Sequence, residues 1–327
     1  MKGTMSPVAY STVQPVTLQP YSTTTTYQPG LIPNYNINVL RIIFNEFSRI
    51  LNHLLTVSAI CLDMGSMGPI FWAFEEREQI MEYFERLSGA RMHTALLKPF
   101  GLTSNINTNS LFLDAVFLIN RGSRFINGSF LGLLNNRALK TRLSGVGFFS
   151  KAKINKYGVT GIIARSAGQK IDLRLNSSSV STLSYNFLSF KSFLGKKSDC
   201  YDRFVIRSKE IIESFKIINQ CLSLNVSLYS LKKSKNISME STIESFKNNS
   251  SFASTTTGVF TGSVESPKGC VTSIIALNGL FSAYRFYLRS PVAHNMNLIS
   301  TIGNLTTFAD FVATFCSIDV VLGEIDR

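Results

Sequence analysis

Residues 37–63 read INVLRIIFNEFSRILNHLLTVSAICLD, and this stretch decides the fold. Its apolar side chains recur at spacings of three and four, which is the period of a helix packed against a core. These side chains are Leu40, Phe44, Phe47, Leu51, Leu54 and Leu55. The other face carries Arg41, Glu46 and Arg49. The pattern predicts a long buried helix that ends at Asp63.

The apolar composition continues past Asp63 to Phe74, far enough to raise the alternative of a membrane span. A span needs about 20 mostly apolar residues in a row, whereas Asp63, Gly65 and Pro69 interrupt this stretch. The sequence therefore predicts a buried helix, a turn, and a second helix over residues 72–93.

Further helices and short sheets are predicted along the rest of the chain. Asp199 and Asp202 place negative charge at the start of the clearest helix, where the helix dipole favours it. The other predicted segments are a helix over 110–135, mixed helical and β character over 146–163, short strands within 171–198, β-like segments over 263–277 and 282–288, and a helix over 306–316. The fold class is therefore mainly α with small β-sheets (α+β).

The first 36 residues differ from the rest because they have no apolar period. Prolines stand there among Ser, Thr, Tyr and Gln, a composition typical of a disordered or partner-docking arm. Residues 37–327 are predicted to form a single domain, and 45% apolar residues are enough to build its core.

The charge of the chain is positive but diffuse. With 33 basic and 20 acidic residues the net charge is +13, yet only 16% of residues are charged, against a usual ~25%. A nucleic-acid binder of this basicity normally carries dense Lys/Arg stripes. The tight basic runs here are short, at 151–153, 196–197 and 232–235. The sequence therefore argues against nucleic acid as a partner.

Cysteine and histidine spacing argues against a metal centre held by this chain alone. The five cysteines include no Cys-x-x-Cys pair, and the three histidines form no His-Glu-x-x-His motif. Phosphate-binding glycine motifs are also missing from the sequence. We therefore expect any metal cofactor to be held by a neighbouring protein.

Strings spread over most of the chain carry a resemblance to a known family. In the first half they are Glu46–His53, Leu62–Met67, Phe74–Glu78 and Ser88–His93. In the second half they include Tyr157–Gly161, Asp172–Arg174, Asp199–Arg203, Glu265–Gly269 and Gly323–Arg327. In order and spacing they resemble the 49-kDa quinone-site subunit of respiratory complex I (NADH:ubiquinone oxidoreductase), over about residues 38–327.

The resemblance implies both a fold and a function. The fold is that of nickel–iron hydrogenase large subunits, a helical bundle with small β-sheets. The function is that of a matrix-arm subunit at the mitochondrial inner membrane. It forms the quinone-reduction chamber together with the iron–sulfur subunit that holds the terminal cluster. The implied partners are that subunit, other matrix- and membrane-arm subunits, and ubiquinone. The chain itself is expected to bind no cofactor and to be inactive when isolated.

Two residues gain a catalytic role from the resemblance. Asp63 matches a carboxylate that lines the quinone pocket and hydrogen-bonds an imidazole. From the sequence alone it reads as a helix-end carboxylate satisfied by local backbone N–H groups. His93 matches a histidine beside the terminal cluster, where it couples reduction to protonation; its plain reading is a helix-end cap.

Other site residues follow in the same way. The resemblance places Asp319 and Val321 on the wall of the quinone cavity, and Met67 and Ile70 follow Asp63 as apolar pocket wall, with a core role equally open. Lys98 stands in the cluster environment, where the family has an arginine.

The chain departs from the family in identifiable places. It lacks the family's N-terminal β-hairpin, which supplies the imidazole partner. We therefore expect a separate polypeptide to supply the hairpin, as in a split subunit, because a mostly buried Asp63 without a partner would be costly. Smaller departures are Phe100, where the family has Gly, and Ala59, where it has a small hydroxyl residue.

Two rival functions remain open at this stage. One is a structural scaffold of the same complex without quinone chemistry; the other is a basic mitochondrial protein associated with RNA or ribosomes. Several charged residues are assigned to structural ion pairs before any catalytic role, namely Asp202, Arg203, Glu75, Glu76 and Arg77.

Overall fold

A computed structural model gives the fold of the chain. It describes residues 35–92, 94, 97–98, 101–102, 108–175, 185–224, 239–240, 243, 257–278, 284–301 and 307–326. All of these ranges fall in one compact unit, Pro33–Arg327. The arm predicted over residues 1–36 lies outside the described residues except for its last two positions, which belong to the first helix, so the arm and its domain boundary stay predictions.

The long apolar run forms one helix, α1 (Tyr35–Asp63), which ends at Asp63 as predicted. The next helix, α2 (Gly68–Ser88), has Pro69 in its first turn and ends at Gly89, whose φ is 77°. The Gly89 N–H donates to the carbonyl oxygen of Glu85 at 2.8 Å, and such a left-handed glycine closes a helix. The helix predicted over residues 72–93 is therefore real but lies several residues earlier.

The remaining helices are mostly short. They are α3 (Thr108–Phe125), a π-helical turn (Ile126–Phe130), α4 (Leu131–Leu134), α5 (Arg137–Leu143), α6 (Lys151–Tyr157), α7 (Ile162–Ser166), α8 (Cys200–Ser223), α9 (Pro291–Met296), a 3-10 turn (Ile299–Thr301), α10 (Phe308–Ile318) and α11 (Leu322–Asp326). The Asp199 side chain accepts the backbone N–H of Asp202 at 2.8 Å and so caps α8. The prediction of a helix that begins after Asp199 is confirmed.

The core lies where α1 packs against α2, α8 and α10. Phe47, Ile50, Phe84, Phe204 and Ile218 are all buried there. A helix buried on several sides must be apolar on more than one stripe, and the dense apolar pattern of α1 meets that demand. No helix within the described ranges combines the length and the hydropathy of a membrane span.

Two antiparallel sheets complete the fold. Strands β1 (Leu97–Lys98) and β2 (Gly101–Leu102) form a minimal pair. Strands β3 (Thr257–Ser266), β4 (Gly269–Asn278) and β5 (Arg285–Arg289) form a sheet in the order β3-β4-β5. The β-like character predicted over 263–277 and 282–288 is thus confirmed, with a tight turn at Pro267–Lys268 that splits the first segment into two strands.

The β character predicted over residues 146–163 was wrong, because α6 and the start of α7 occupy this stretch and it contains no strand. Residues 171–175 and 185–198 contain no strand either, but 176–184 lie outside the described residues, so the short strands expected within 171–198 stay a prediction. The Ser150 side chain caps α6 by accepting the N–H of Lys153, and Gly158 ends it in the left-handed conformation. Helices of five and seven residues are too short to show a helical period, which is why the pattern looked mixed.

Two glycines of the quoted strings meet in space. Gly161, with φ 73°, precedes α7, and a Cβ placed on it would lie 2.5 Å from Cα of Gly269 and 2.9 Å from the carbonyl oxygen of Lys268. Both the left-handed backbone and the close approach of α7 to the β3–β4 turn therefore require glycine at position 161.

We predict that Gly161→Ala destabilises the fold by more than left-handed strain alone. That strain costs roughly 1–2 kcal/mol, and overpacking against backbone adds about 1–3 kcal/mol. Gly145→Ala is the matched control, because Gly145 has φ 78° but a Cβ there meets no described atom within 4 Å. Urea unfolding followed by circular dichroism measures both variants, and equal losses would contradict the packing argument.

Candidate functional site

Asp63 stands at the exposed end of α1. The turn after it is closed by backbone bonds, with the N–H of Gly65 donating to Leu62 at 2.8 Å and that of Ser66 donating to Cys61 at 2.9 Å. Both N–H groups are therefore used by backbone carbonyl oxygens and do not bind the Asp63 carboxylate. A helix-end acid satisfied by local backbone would have needed them. The Asp63 side chain is exposed in the chain by itself, so its expected burial against a partner polypeptide stays a prediction.

Helix α10 brings a second carboxylate to the same place. Asp319 caps its C-terminus in the left-handed conformation, with φ 60°. The side chain of Asn52, on α1, donates to the Asp319 carboxylate at 2.6 Å. A left-handed residue other than glycine needs such outside support, because the conformation is strained.

Cys316, on α10, is close enough to Asp63 and Asp319 for both carboxylates to act on its thiol. Burial raises the pKa of its thiol, and a hydrogen bond with Asp63, the charge of Asp63 and the charge of Asp319 raise it further. The thiol is therefore a neutral donor held beside Asp63. Asp63 and Asp319 therefore both act on Cys316, although they come from opposite ends of the described chain.

The apolar residues predicted for this site lie at its open side. Met67 is 66% exposed and Val321 is 42% exposed, while Ile70 is half-buried in the first turn of α2. His93 lies outside the described residues. Lys98 belongs to β1, but its side chain is not described. The cluster environment expected of these two residues therefore stays a prediction.

A buried cluster of charges lies deeper in the same helices, and the sequence reading missed it. Glu46, Arg49 and His53 project from one face of α1 and are all 0% exposed. The sequence indicates that this face of α1 is polar, and the structure shows that it is buried as well. The spacing of three and four residues was visible in the sequence, but the partners that cover the face come from α7, α8 and β3.

Arg165 of α7 holds the centre of this cluster. Its guanidinium donates to Glu210 of α8 at 3.1 Å and to Glu265 of β3 at 2.8 Å. Glu210 also contacts Nε2 of His53 at 3.1 Å, and Arg49 donates to the carbonyl oxygen of Glu265 at 2.6 Å. Burial alone would raise the pKa of Glu210, but Arg165 and the bond from His53 hold it well below its usual range.

Glu46 organises the other half of the cluster. Its carboxylate accepts hydrogen bonds from Tyr185 at 2.8 Å and from Ser214 at 2.7 Å. Arg174 lies 3.6 Å from it and pairs with Asp172 through two bonds of 3.1 and 3.0 Å. The charged groups are thus paired as well as buried, which is the condition under which burial is tolerated.

Most of the other charged residues assigned to structural pairs do take structural roles. Glu75 and Glu76 both pair with Arg121 of α3. The guanidinium of Arg77 lies over the Phe74 ring rather than against a carboxylate.

Asp202 and Arg203 take structural roles as well, but not as an ion pair. Asp202 accepts three backbone N–H groups, from Lys196, Lys197 and Ser198. Arg203 donates to Ser317 Oγ and to carbonyl oxygens and has no carboxylate partner among the described residues.

Similarity to known proteins extends over both the site and the cluster. The family model described as "Respiratory-chain NADH dehydrogenase, 49 Kd subunit" matches residues 63–327. The chain belongs to this family. It is 37% identical over 297 residues to a protein of Nyctotherus ovalis named NADH-ubiquinone oxidoreductase 49 kDa subunit, which covers 88% of this chain and 72% of that protein.

Two further relatives support the assignment. A 49 kDa subunit of Paramecium tetraurelia is 36% identical over 90% of this chain and 78% of its own length. A subunit of the NADH-quinone oxidoreductase of Ehrlichia ruminantium (strain Welgevonden) is 37% identical over 88% of this chain and 75% of its own. The chain is thus a subunit of an NADH–quinone oxidoreductase, with other complex I subunits as partners. Within the described residues, no group of three His, Cys, Asp or Glu side chains could hold a metal ion.

We predict that Arg165→Met destabilises the chain by about 3–5 kcal/mol, because it leaves Glu210 and Glu265 buried without their cation. The control is Arg86→Met, which removes an exposed ion pair with Glu82 and should change stability little. Urea unfolding compares the two, and equal stability would show that the buried cluster is not needed for folding.

We also predict that His53 makes the fold sensitive to mild acid. Burial lowers the pKa of His53, and its bond to Glu210 only partly opposes this. Below about pH 6.5 the unfolded chain takes up a proton that the folded chain does not, so stability falls by up to ~1.4 kcal/mol per pH unit. His53→Gln should lose less stability than wild type between pH 7.5 and 5.5 in urea unfolding. If His53→Gln lost as much free energy of unfolding as wild type between these two pH values, the assignment to His53 would be refuted.

Proposed function

We propose that this 49 kDa family subunit forms part of the quinone-reduction chamber, with Asp63 and Asp319 at its polar end. The observation that carries the proposal is that both carboxylates act on the Cys316 thiol, while Asn52 of α1 holds the Asp319 carboxylate on α10. The apolar side chains of Met67 and Val321 lie exposed on the segments that follow them. An open surface of this composition suits a ligand with a polar headgroup that a second protein helps to enclose.

Reduction of a quinone to a quinol needs two electrons and two protons. The electrons would come from the terminal iron–sulfur cluster, held by the iron–sulfur subunit. The residues of this chain would bind the headgroup and manage protons. Asp63 can deliver to the quinone oxygen a proton that it takes up from solvent, while the neutral Cys316 thiol donates a hydrogen bond to it and keeps its own proton. Asp319, held by Asn52, would orient the same headgroup without leaving its place.

His93 and Lys98 are proposed to lie on the cluster side of the chamber. Both roles rest on the resemblance of their strings to the family. An imidazole beside a cluster that gains an electron would favour its protonated form, and this links electron arrival to proton uptake. The proposed location is the matrix side of the mitochondrial inner membrane, in the peripheral arm, and the proposed partners include the iron–sulfur subunit and ubiquinone.

The competing function is that of a structural scaffold in the same complex without quinone chemistry, because a subunit can be retained for assembly alone. It predicts that charge at Asp63 is irrelevant to turnover. The expectation that a separate polypeptide carries the hairpin stays a prediction. Asp63 is exposed in the chain by itself, which leaves its carboxylate open to cover by such a partner.

We predict that Asp63→Asn in the assembled enzyme lowers quinone reductase activity by about tenfold to a hundredfold, a usual range for an acid–base group. Electron transfer from NADH to an artificial acceptor should be unchanged, because that reaction does not use the quinone site. The control is Glu85→Gln, which neutralises an exposed carboxylate on α2. Wild-type quinone turnover in assembled Asp63→Asn enzyme would favour the scaffold function.

A further inference from the structure

Arg207 of α8 is buried, but its guanidinium makes few hydrogen bonds. It is 2% exposed, and its guanidinium donates one hydrogen bond, from Nη2 to the carbonyl oxygen of Ser317 at 2.6 Å. Its Nε and Nη1 groups are buried and have no partner among the described residues. Burial lowers the pKa of Arg207, although the charge of Asp319 opposes this. Such a group lowers stability, so its presence calls for another explanation.

Arg203, one turn earlier on the same face of α8, provides the contrast. It is fully buried too, but its guanidinium donates to Ser317 Oγ at 3.0 Å, to the carbonyl oxygen of Ser198 at 3.1 Å and to that of Gly147 at 3.0 Å. Its bonds explain it as a structural element of the fold. Both arginines therefore donate to Ser317 at the end of α10, but Arg203 has several further hydrogen bonds and Arg207 has none among the described residues.

The turn that they hold is the one that places Asp319. Ser317 lies two residues before this left-handed carboxylate, and the carbonyl groups at the end of α10 carry the negative end of its dipole, which attracts a cation. In the described part of the chain no carboxylate oxygen lies within 4.0 Å of Arg207, so Asp319 attracts it through space. Arg207 is thus a fixed positive charge directly behind the candidate site.

His53 supplies a complementary unsatisfied group at the same junction of α1, α8 and α10. Glu210 is held ionised and accepts, so Nε2 of His53 carries its proton and Nδ1 presents a lone pair. Nδ1 is also without a described partner. Arg207 is among the charges that act on His53. The charge of Arg207 is therefore coupled both to Asp319 at the candidate site and to His53 in the deeper cluster.

We propose that Arg207 is a positioning residue for quinone reduction: a buried cation that fixes the end of α10 and holds the Asp319 carboxylate in register with Asp63. The inference rests on the proposed function of the site. Arg207 does not touch the quinone; it acts through the Ser317 carbonyl and through its attraction to Asp319. Its unsatisfied N–H groups mean that the folded state gains little from it, so its removal should affect turnover more than stability.

The test is made in the assembled enzyme with three variants. Arg207→Met removes the cation at similar length, Arg207→Lys keeps a cation, and Arg203→Met removes the fully bonded neighbour. Arg207→Met should assemble at wild-type level, transfer electrons from NADH to an artificial acceptor at wild-type rate, and lose about tenfold or more in kcat/KM for quinone. Arg207→Lys should recover a large part of that loss. Arg203→Met should instead reduce assembly, because it leaves several buried acceptors unpaired.

The outcomes separate this inference from the function on which it rests. Wild-type kcat and KM for quinone in Arg207→Met would overturn it, and so would failure of that variant to assemble or an equal loss in Arg207→Lys. If Asp63→Asn and Asp319→Asn also keep wild-type quinone turnover, the proposed function itself fails. If those two lose turnover and Arg207→Met does not, only the positioning role fails.

Discussion

The ion cluster around Arg165 is the constraint on which the rest of the structure depends. Its guanidinium joins Glu210, 45 residues away on α8, to Glu265, 100 residues away on β3. Through His53 and Arg49 the same carboxyl-bearing elements are tied to α1. Apolar packing is non-directional and tolerates small shifts between helices. A buried charge does not, because a shift of one turn would leave it without its partner at a cost of several kcal/mol. The cluster therefore fixes the register of α1 against α8 and the sheet, and the candidate site inherits that register.

The sequence predicted the parts of the fold that have a long period. Helix α1 ends at Asp63 and α8 begins after Asp199, both where their patterns and capping residues indicate. The resemblance also named Asp63 and Asp319 before the structure brought them together. The failures have two physical causes. Helices α6 and α7 are shorter than the window in which a period can be recognised. The burial of the charged face of α1 could not be predicted either. An amphipathic pattern shows that a helix face is polar, but it does not show whether another element covers that face.

The contact between Asp63 and Cys316 shows a further limit of reasoning along the chain. Nothing local to either residue indicates the other, because the packing of α10 on α1 brings them together. The exposure of Asp63 in the chain by itself has a related cause. A carboxylate at the end of an apolar helix is buried only if something beyond the helix end covers it, and within the described chain the Met64–Met67 turn leads away into α2. In this family the covering surface is proposed to come from other subunits, so burial at this position belongs to the assembly.

The distribution of buried charge along α8 connects the cluster to the site. Around Arg165, four carboxylates (Glu46, Asp172, Glu210 and Glu265) face three guanidinium groups (Arg49, Arg165 and Arg174), an excess of one negative charge. Toward α10 the balance reverses, since Arg203 and Arg207 are buried without a carboxylate among the described ion pairs. Asp199 at the start of α8 and Glu213 farther along it are buried too, so the described core holds six buried carboxylates against five buried guanidinium groups. The charge of Asp319 acts on Arg207 against the effect of burial. Arg207 is therefore the buried group of α8 through which the candidate site is electrostatically coupled to the interior of the subunit.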